Sequence, residues 1–157
     1  MIALLNTLLI TTAVARKPAA KTPDPIEITR AYFTAMDAKD IEAADKLFDK
    51  TSSLYESGGV QGSWTQYSEH HLGPELEAIK NFQTSLGEPE PMQSKDGTLA
   101  VVAWPIEYHI VLEDDREIDS IGTVTFVLNQ VDDTYRIRHL HWSSRPKPKH
   151  DAGGHGH

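Results

Sequence analysis

Four histidines, His70, His71, His139 and His141, are the residues of this chain best suited to chemistry. Imidazole titrates near neutral pH, relays protons and ligates transition metals. His139 and His141 flank a single leucine in the run Ile137-Arg138-His139-Leu140-His141-Trp142. Read as a strand, alternate residues share a face, which sets these two about 7 Å apart at the backbone. The same parity puts Arg136 and Arg138 on the opposite face. Two arginines are costly inside a fold, so Tyr135, Ile137, His139, His141 and Ser143 are expected to point inward. A His-x-His pair there can clamp one metal ion, line a polar pocket, or be a hydrogen-bonded part of a core.

His70 and His71 fall near the end of a helical segment. Helical neighbours diverge by about 100°, so both need not enter one site. Tyr67 and His71 are four residues apart and share a face. His71 and Glu75 would do so too, but a residue before proline avoids the α region, and Gly73-Pro74 is expected to end or kink the helix. Glu56 stands next to Ser57-Gly58-Gly59. A carboxylate at a tight turn can be a ligand, a general base or a solvated loop anion. His109 shares a strand face with Glu107, opposite the Trp104 stripe, and is left outside the site. Ser143 with His141 makes no nucleophile pair, since no orienting group or oxyanion hole accompanies them. The chain has no P-loop, GxGxxG or HExxH stretch.

Helices and then strands must position these groups. Asp24-Pro25-Ile26-Glu27 is a strong helix start: a capping aspartate, a proline at the first turn and an acid at the positive end. Ile28, Ala31, Tyr32, Ala35 and Met36 continue at helical spacing. After Lys39-Asp40, the residues Ile41, Ala44, Leu47 and Phe48 predict a second short helix. Ser53 to Glu56 reads as a brief extended piece, and Trp64 to His71 as a third helix. From about Phe82 the period becomes that of a strand. Pro89 and Pro91 mark an edge or loop, and Asp96-Gly97 a hairpin turn. Val102, Trp104, Ile106, Tyr108, Ile110 and Leu112 form one apolar stripe. Glu113-Asp114-Asp115 and Asp132-Asp133 separate two further strands, the last from Tyr135 to Ser144. This order predicts an α+β fold, with N-terminal helices packed on one face of a curved antiparallel sheet.

The chain has 157 residues, enough for one domain. Residues 1–15 carry no charge and end in Ala13-Val14-Ala15, the pattern of a signal peptide, although no basic residue precedes the apolar run. The run is too short to act as a membrane anchor, and none is expected to remain after cleavage. Residues 16–23 read as a linker, 24–145 as the domain, and 146–157 as a disordered tail containing His150, His155 and His157. There is no cysteine, so an exported chain rests on its core alone, and a periplasmic or secreted location is expected. The net charge of -8 argues against nucleic acid as a partner.

Two stretches, 55–76 (Tyr55-Glu56-Ser57-Gly58-Gly59 through His70-His71-Leu72-Gly73-Pro74) and 137–145, together with the element order, resemble the nuclear transport factor 2-like superfamily. The likeness is to its SnoaL-like branch, in particular exported bacterial members. The resemblance implies a cone-shaped pocket between helices and sheet, and a homodimer through the sheet. It leaves function open, because that superfamily includes isomerases, cyclases, dehydratases and proteins that only bind. Ketosteroid isomerase relatives use carboxyl groups in an apolar pocket with a tyrosine. The sequence does not place such an acid on the inner stripe of the sheet, which weighs against an isomerase.

The leading expectation is an exported binding protein whose pocket holds copper or zinc, since imidazole suits both and no thiolate is present. His71, His139 and His141 would be ligands, with His70 or Glu56 as a fourth or supporting group. Tyr67 and Ser143 would line the pocket. The alternative is an enzyme acting on a small molecule, such as an isomerase, cyclase or dehydratase, with His141 or His71 as acid-base group and Glu56 or Tyr67 assisting. Binding of an apolar molecule without chemistry is a third reading.

Overall fold

The computed structural model describes residues 24–148. The expected signal peptide, the linker and residues 149–157 of the tail lie outside the described residues. Asp24 caps helix α1 (Pro25–Asp37), its carboxylate accepting the Ile26 N–H at 3.0 Å. Thr29, Tyr32, Phe33 and Met36 form the buried face of α1. The chain turns at Lys39 (φ 55°), whose ammonium donates to the Ile79 carbonyl at 2.7 Å. A short α2 (Ile41–Asp45) follows, capped by Asp40.

Two helical expectations need correction. Phe48 does not continue α2; it opens strand β1 (Phe48–Glu56) and stacks on Trp64 at 4.1 Å. That long-range contact overrides the local helical spacing. The helix after Trp64 also does not stop at Gly73-Pro74. It runs through α3 (Trp64–Tyr67), one π-helical turn (Ser68–Leu72) and α4 (Gly73–Glu77). Proline has no N–H and breaks the α ladder. Here the Gly73 N–H reaches back five residues to Ser68 O, and the widened turn accommodates Pro74.

Strands β3 (Ile79–Leu86), β4 (Glu90–Gln93), β5 (Leu99–Leu112), β6 (Glu117–Val131) and β7 (Thr134–Pro146) complete the chain. With β1 and β2 (Gly59–Gly62) they form one seven-stranded sheet of order β2-β1-β7-β6-β5-β3, with β4 also paired to β5. The fold is α+β as expected, but the sheet is mixed: β1 lies parallel to β7. The expected turns fall at Gly97 (φ 71°), Asp115 (φ 62°) and Asp132 (φ 54°). Strand β7 passes the expected boundary at Arg145, and the Lys147 N–H still donates to Asp119 O at 2.9 Å.

The core lies between α1 and the sheet. Val102, Trp104 and Ile106 of β5 are buried, as their stripe predicts. Phe33 meets Trp104 edge-on, and Tyr32 meets Phe126. Each such side chain contributes about 1.5–3 kcal/mol on burial. Trp104 Nε1 donates to Thr29 Oγ1 at 2.9 Å, so its one polar atom is satisfied.

Candidate functional site

The inward parity expected of His139 and His141 is wrong, and a bulge is the cause. In β7, Ile137 pairs with Leu128 and His139 with Val127, which leaves Arg138 as an extra residue. A bulge of this kind re-aims the side chains that follow it. Before it, Tyr135 and Ile137 are buried; after it, Leu140 and Trp142 are buried. His139 and His141 therefore stand on the outer face of the sheet. There Tyr55, 42% exposed, packs edge-on against both rings. His139 Nδ1 shares a 2.9 Å hydrogen bond with Ser53 Oγ. Burial, and then His141, lower the His139 pKa. Ser143 follows the same outward parity and is exposed, and His70 is exposed on the helix. None of these four lines the inner pocket.

The pairing that sends His139 and His141 outward sends Glu56 inward. In the β1–β7 ladder Tyr55 is level with His141, and Glu56 with Trp142. Ser52, on the same face as Glu56, accepts the Trp64 N–H at 3.0 Å and fixes the start of α3. A reciprocal Ser63–Gln66 capping box holds that start from the other side. One turn later Tyr67 donates to Glu56 Oε2 at 3.0 Å. His71, a turn further, places Nε2 3.4 Å from Glu56 Oε2 and 3.3 Å from Glu75 Oε1. The pair His71 and Glu75 meets because the helix passes Pro74.

Glu56, Tyr67 and Glu75 form the polar end of a pocket, and His71 stands beside the two carboxylates, outside the lining itself. Tyr32, Met36, Leu72, Leu76, Ile79, Phe82, Tyr108, Ile110 and Trp142 line the remainder. The cavity has a volume of about 90 Å³. Glu56 is 26% and His71 39% exposed, which places them where pocket and solvent meet. Burial pushes the Tyr67 phenol up, and Tyr32 and Glu56 push it further, so Tyr67 stays a protonated donor. Burial, with a smaller contribution from Glu56, does the same to Tyr32. Tyr32 lines the pocket beside Tyr67 and Glu56. Burial raises the Glu75 pKa, the His71 ring opposes this, and the Glu56 carboxylate adds to it.

The expected ligand set of His71, His139, His141 and His70 is thus divided between two faces of the sheet and does not converge. Among the described residues no group of three or more His, Cys, Asp or Glu side chains is placed to hold a metal ion. Sequence reasoning missed Tyr32 as a pocket group and set Glu75 aside. The signal for Glu75 was its four-residue spacing from His71. The signal for the β7 bulge was a gap of three between Ile137 and Leu140 in an otherwise alternating apolar series.

No protein-family model and no curated protein matches this chain. Solved structures do resemble it. A nuclear transport factor 2-like superfamily protein from Salmonella enterica is 21% identical, covers 82% of this chain and 93% of its own, and has a TM-score of 0.68. A candidate ketosteroid isomerase from Shewanella frigidimarina is 23% identical over 74% of this chain and 92% of its own, with a TM-score of 0.65. A candidate scytalone dehydratase from Novosphingobium aromaticivorans is 11% identical over 79% and 85%, with a TM-score of 0.69. The chain has the nuclear transport factor 2-like fold: an N-terminal helix laid across a curved sheet that does not close. The similar structures include a candidate isomerase and two candidate dehydratases.

Proposed function

We propose that the chain binds a small, largely apolar organic molecule in this pocket and moves a proton with Glu56. The observation that carries this reading is the placement of Glu56: one carboxylate oxygen held by Tyr67, at the polar end of an otherwise apolar cavity. A carboxylate so placed is a general base. For a ketone-like ligand, Glu56 would take an α-proton while the C–H electron pair moves onto the carbonyl oxygen. The Tyr32 hydroxyl would donate to that oxygen. Glu56 would then return the proton, and His71 would link it to Glu75 and solvent. This reading takes the acid-base alternative in preference to the copper or zinc one, whose histidines do not meet.

The test is hydrogen–deuterium exchange at the α-carbons of cyclohexanone in D2O, followed by NMR. Exchange above the buffer rate, lost in Glu56→Gln, supports the reading. No exchange above buffer and no binding of the ketone sinks it. An exported location rests on residues 1–15 alone, and detection of the chain in a periplasmic fraction tests it. Among the described residues no helix is long and apolar enough to cross a membrane. A homodimer through the outer sheet face would cover Tyr55, which is 42% exposed, and sedimentation tests it.

A further inference from the structure

Resting on that reading of the pocket, we infer that its ligand carries a positively charged nitrogen, such as a protonated amine, seated at Glu75 and against the aromatic wall. Of the residues that line the pocket, Glu56 and Glu75 are acids and none is a lysine or arginine. Among the described residues, His71 is the basic group paired with them, and it is shared between both carboxylates. An anionic ligand entering here meets two acids and no dedicated cation. Tyr32, Tyr67, Phe82, Tyr108 and Trp142 supply five aromatic rings around the same space. Ring faces attract organic cations, and more strongly where water is excluded. Tyr32, only 2% exposed, brings a hydroxyl to the pocket wall. It donates to a neutral oxygen of the ligand while the ammonium nitrogen lies toward the mouth. Glu75 stands at that mouth with 55% of its side chain exposed, so it meets the charge and leaves Glu56 to the proton transfer. The surplus of acid over base in the chain, a net charge of -8, draws cations toward the protein.

Three ligands of like size and different charge test this on the full chain: benzylammonium, benzyl alcohol and benzoate, titrated at pH 7 by calorimetry. Benzylammonium is expected to bind about tenfold more tightly than the alcohol, the combined effect of a rim ion pair and ring contacts. Benzoate is expected to bind weakest. Glu75→Gln should bring the ammonium-to-alcohol ratio close to one. Should that variant fold poorly, added salt on the unaltered chain should shrink the ratio, because a rim pair is screened. Equal or tighter binding of the alcohol or of benzoate overturns the charge preference and leaves the pocket reading standing. Binding of none of the three overturns the pocket reading as well. Stoichiometric zinc or copper that displaces benzylammonium assigns the mouth to a metal ion and overturns the inference.

Discussion

Gly73→Ala sets two effects against each other at the turn that shapes the site. Gly73 has helical dihedrals, φ -55° and ψ -56°, and in such a position alanine is favoured by about 1 kcal/mol. Against this, a Cβ at residue 73 would lie 2.8 Å from Ser68 O. That oxygen already accepts the Gly73 N–H, so it cannot retreat without lengthening the bond that closes the π turn. Overpacking of this kind costs about 1–3 kcal/mol. The net expectation is a loss of about 1 kcal/mol, or about 4 °C in Tm for a domain of this size. Thermal and urea unfolding followed by circular dichroism measure it. Because Tyr67 and His71 precede the junction and Glu75 and Leu76 follow it, the pocket wall should shift too, and benzyl alcohol should bind more weakly. A variant with raised Tm and unchanged affinity would show that helix propensity alone governs residue 73, and would refute the reasoning.

Other expectations concern the charged groups. Tyr67→Phe removes the donor to Glu56 and should cost about 1.5–3 kcal/mol in urea unfolding at pH 7, the usual range for a hydrogen bond to a charged group; an unchanged midpoint would remove Tyr67 as the group that holds Glu56. Glu75 has a raised folded-state pKa, so its contribution is full below the ordinary value of 4.5 and is lost as pH rises through the folded value. Glu75→Gln should therefore gain stability relative to the unaltered chain as pH climbs above 4.5, and a relative loss over that window contradicts the direction. His139 has a lowered pKa, so as pH falls below 6.5 the unfolded chain takes up its proton first and stability drops. NMR titration should place the His139 midpoint below 6.5 and move it upward in His141→Gln; a midpoint that stays put would exclude His141 as a contributor.

Much of the fold was legible because it rests on strong local rules. The cap at Asp24, the proline at the first turn of α1, the β5 stripe and the three acidic or glycine turns each follow from one or two residues. What was not legible depended on partners distant in the chain. Phe48 leaves the helix because Trp64 offers it a stacking surface. Glu56 becomes an inner residue because β1 pairs in parallel with β7, the last strand, and no local spacing encodes that pairing. The objection to an isomerase-like site was that the sequence does not place an acid on the inner stripe of the sheet. The acid comes from the first strand, and Tyr67 beside it from the helix that β1 itself anchors through Ser52.

The histidines show how far one inserted residue can redirect a functional reading. A strand's two faces differ by one position, so any slip exchanges all the groups on them. Arginine burial was a sound reason to place Arg136 outward, and Ile137 is indeed inside. The inference failed at Arg138, where the strand gains a residue and the rule restarts with opposite sign. Tyr55 and His141 then face solvent together, while Glu56 and Trp142, one step along each strand, face the pocket together. The same ladder carries an imidazole-rich outer surface and an acid-bearing inner one. His71 belongs to the inner set through the helix and not through the sheet, which is why it alone of the four histidines reaches Glu56. A chemistry built on several converging imidazoles would require the unbulged strand. The bulged one leaves a carboxylate, a phenol and a single imidazole, a set suited to moving protons.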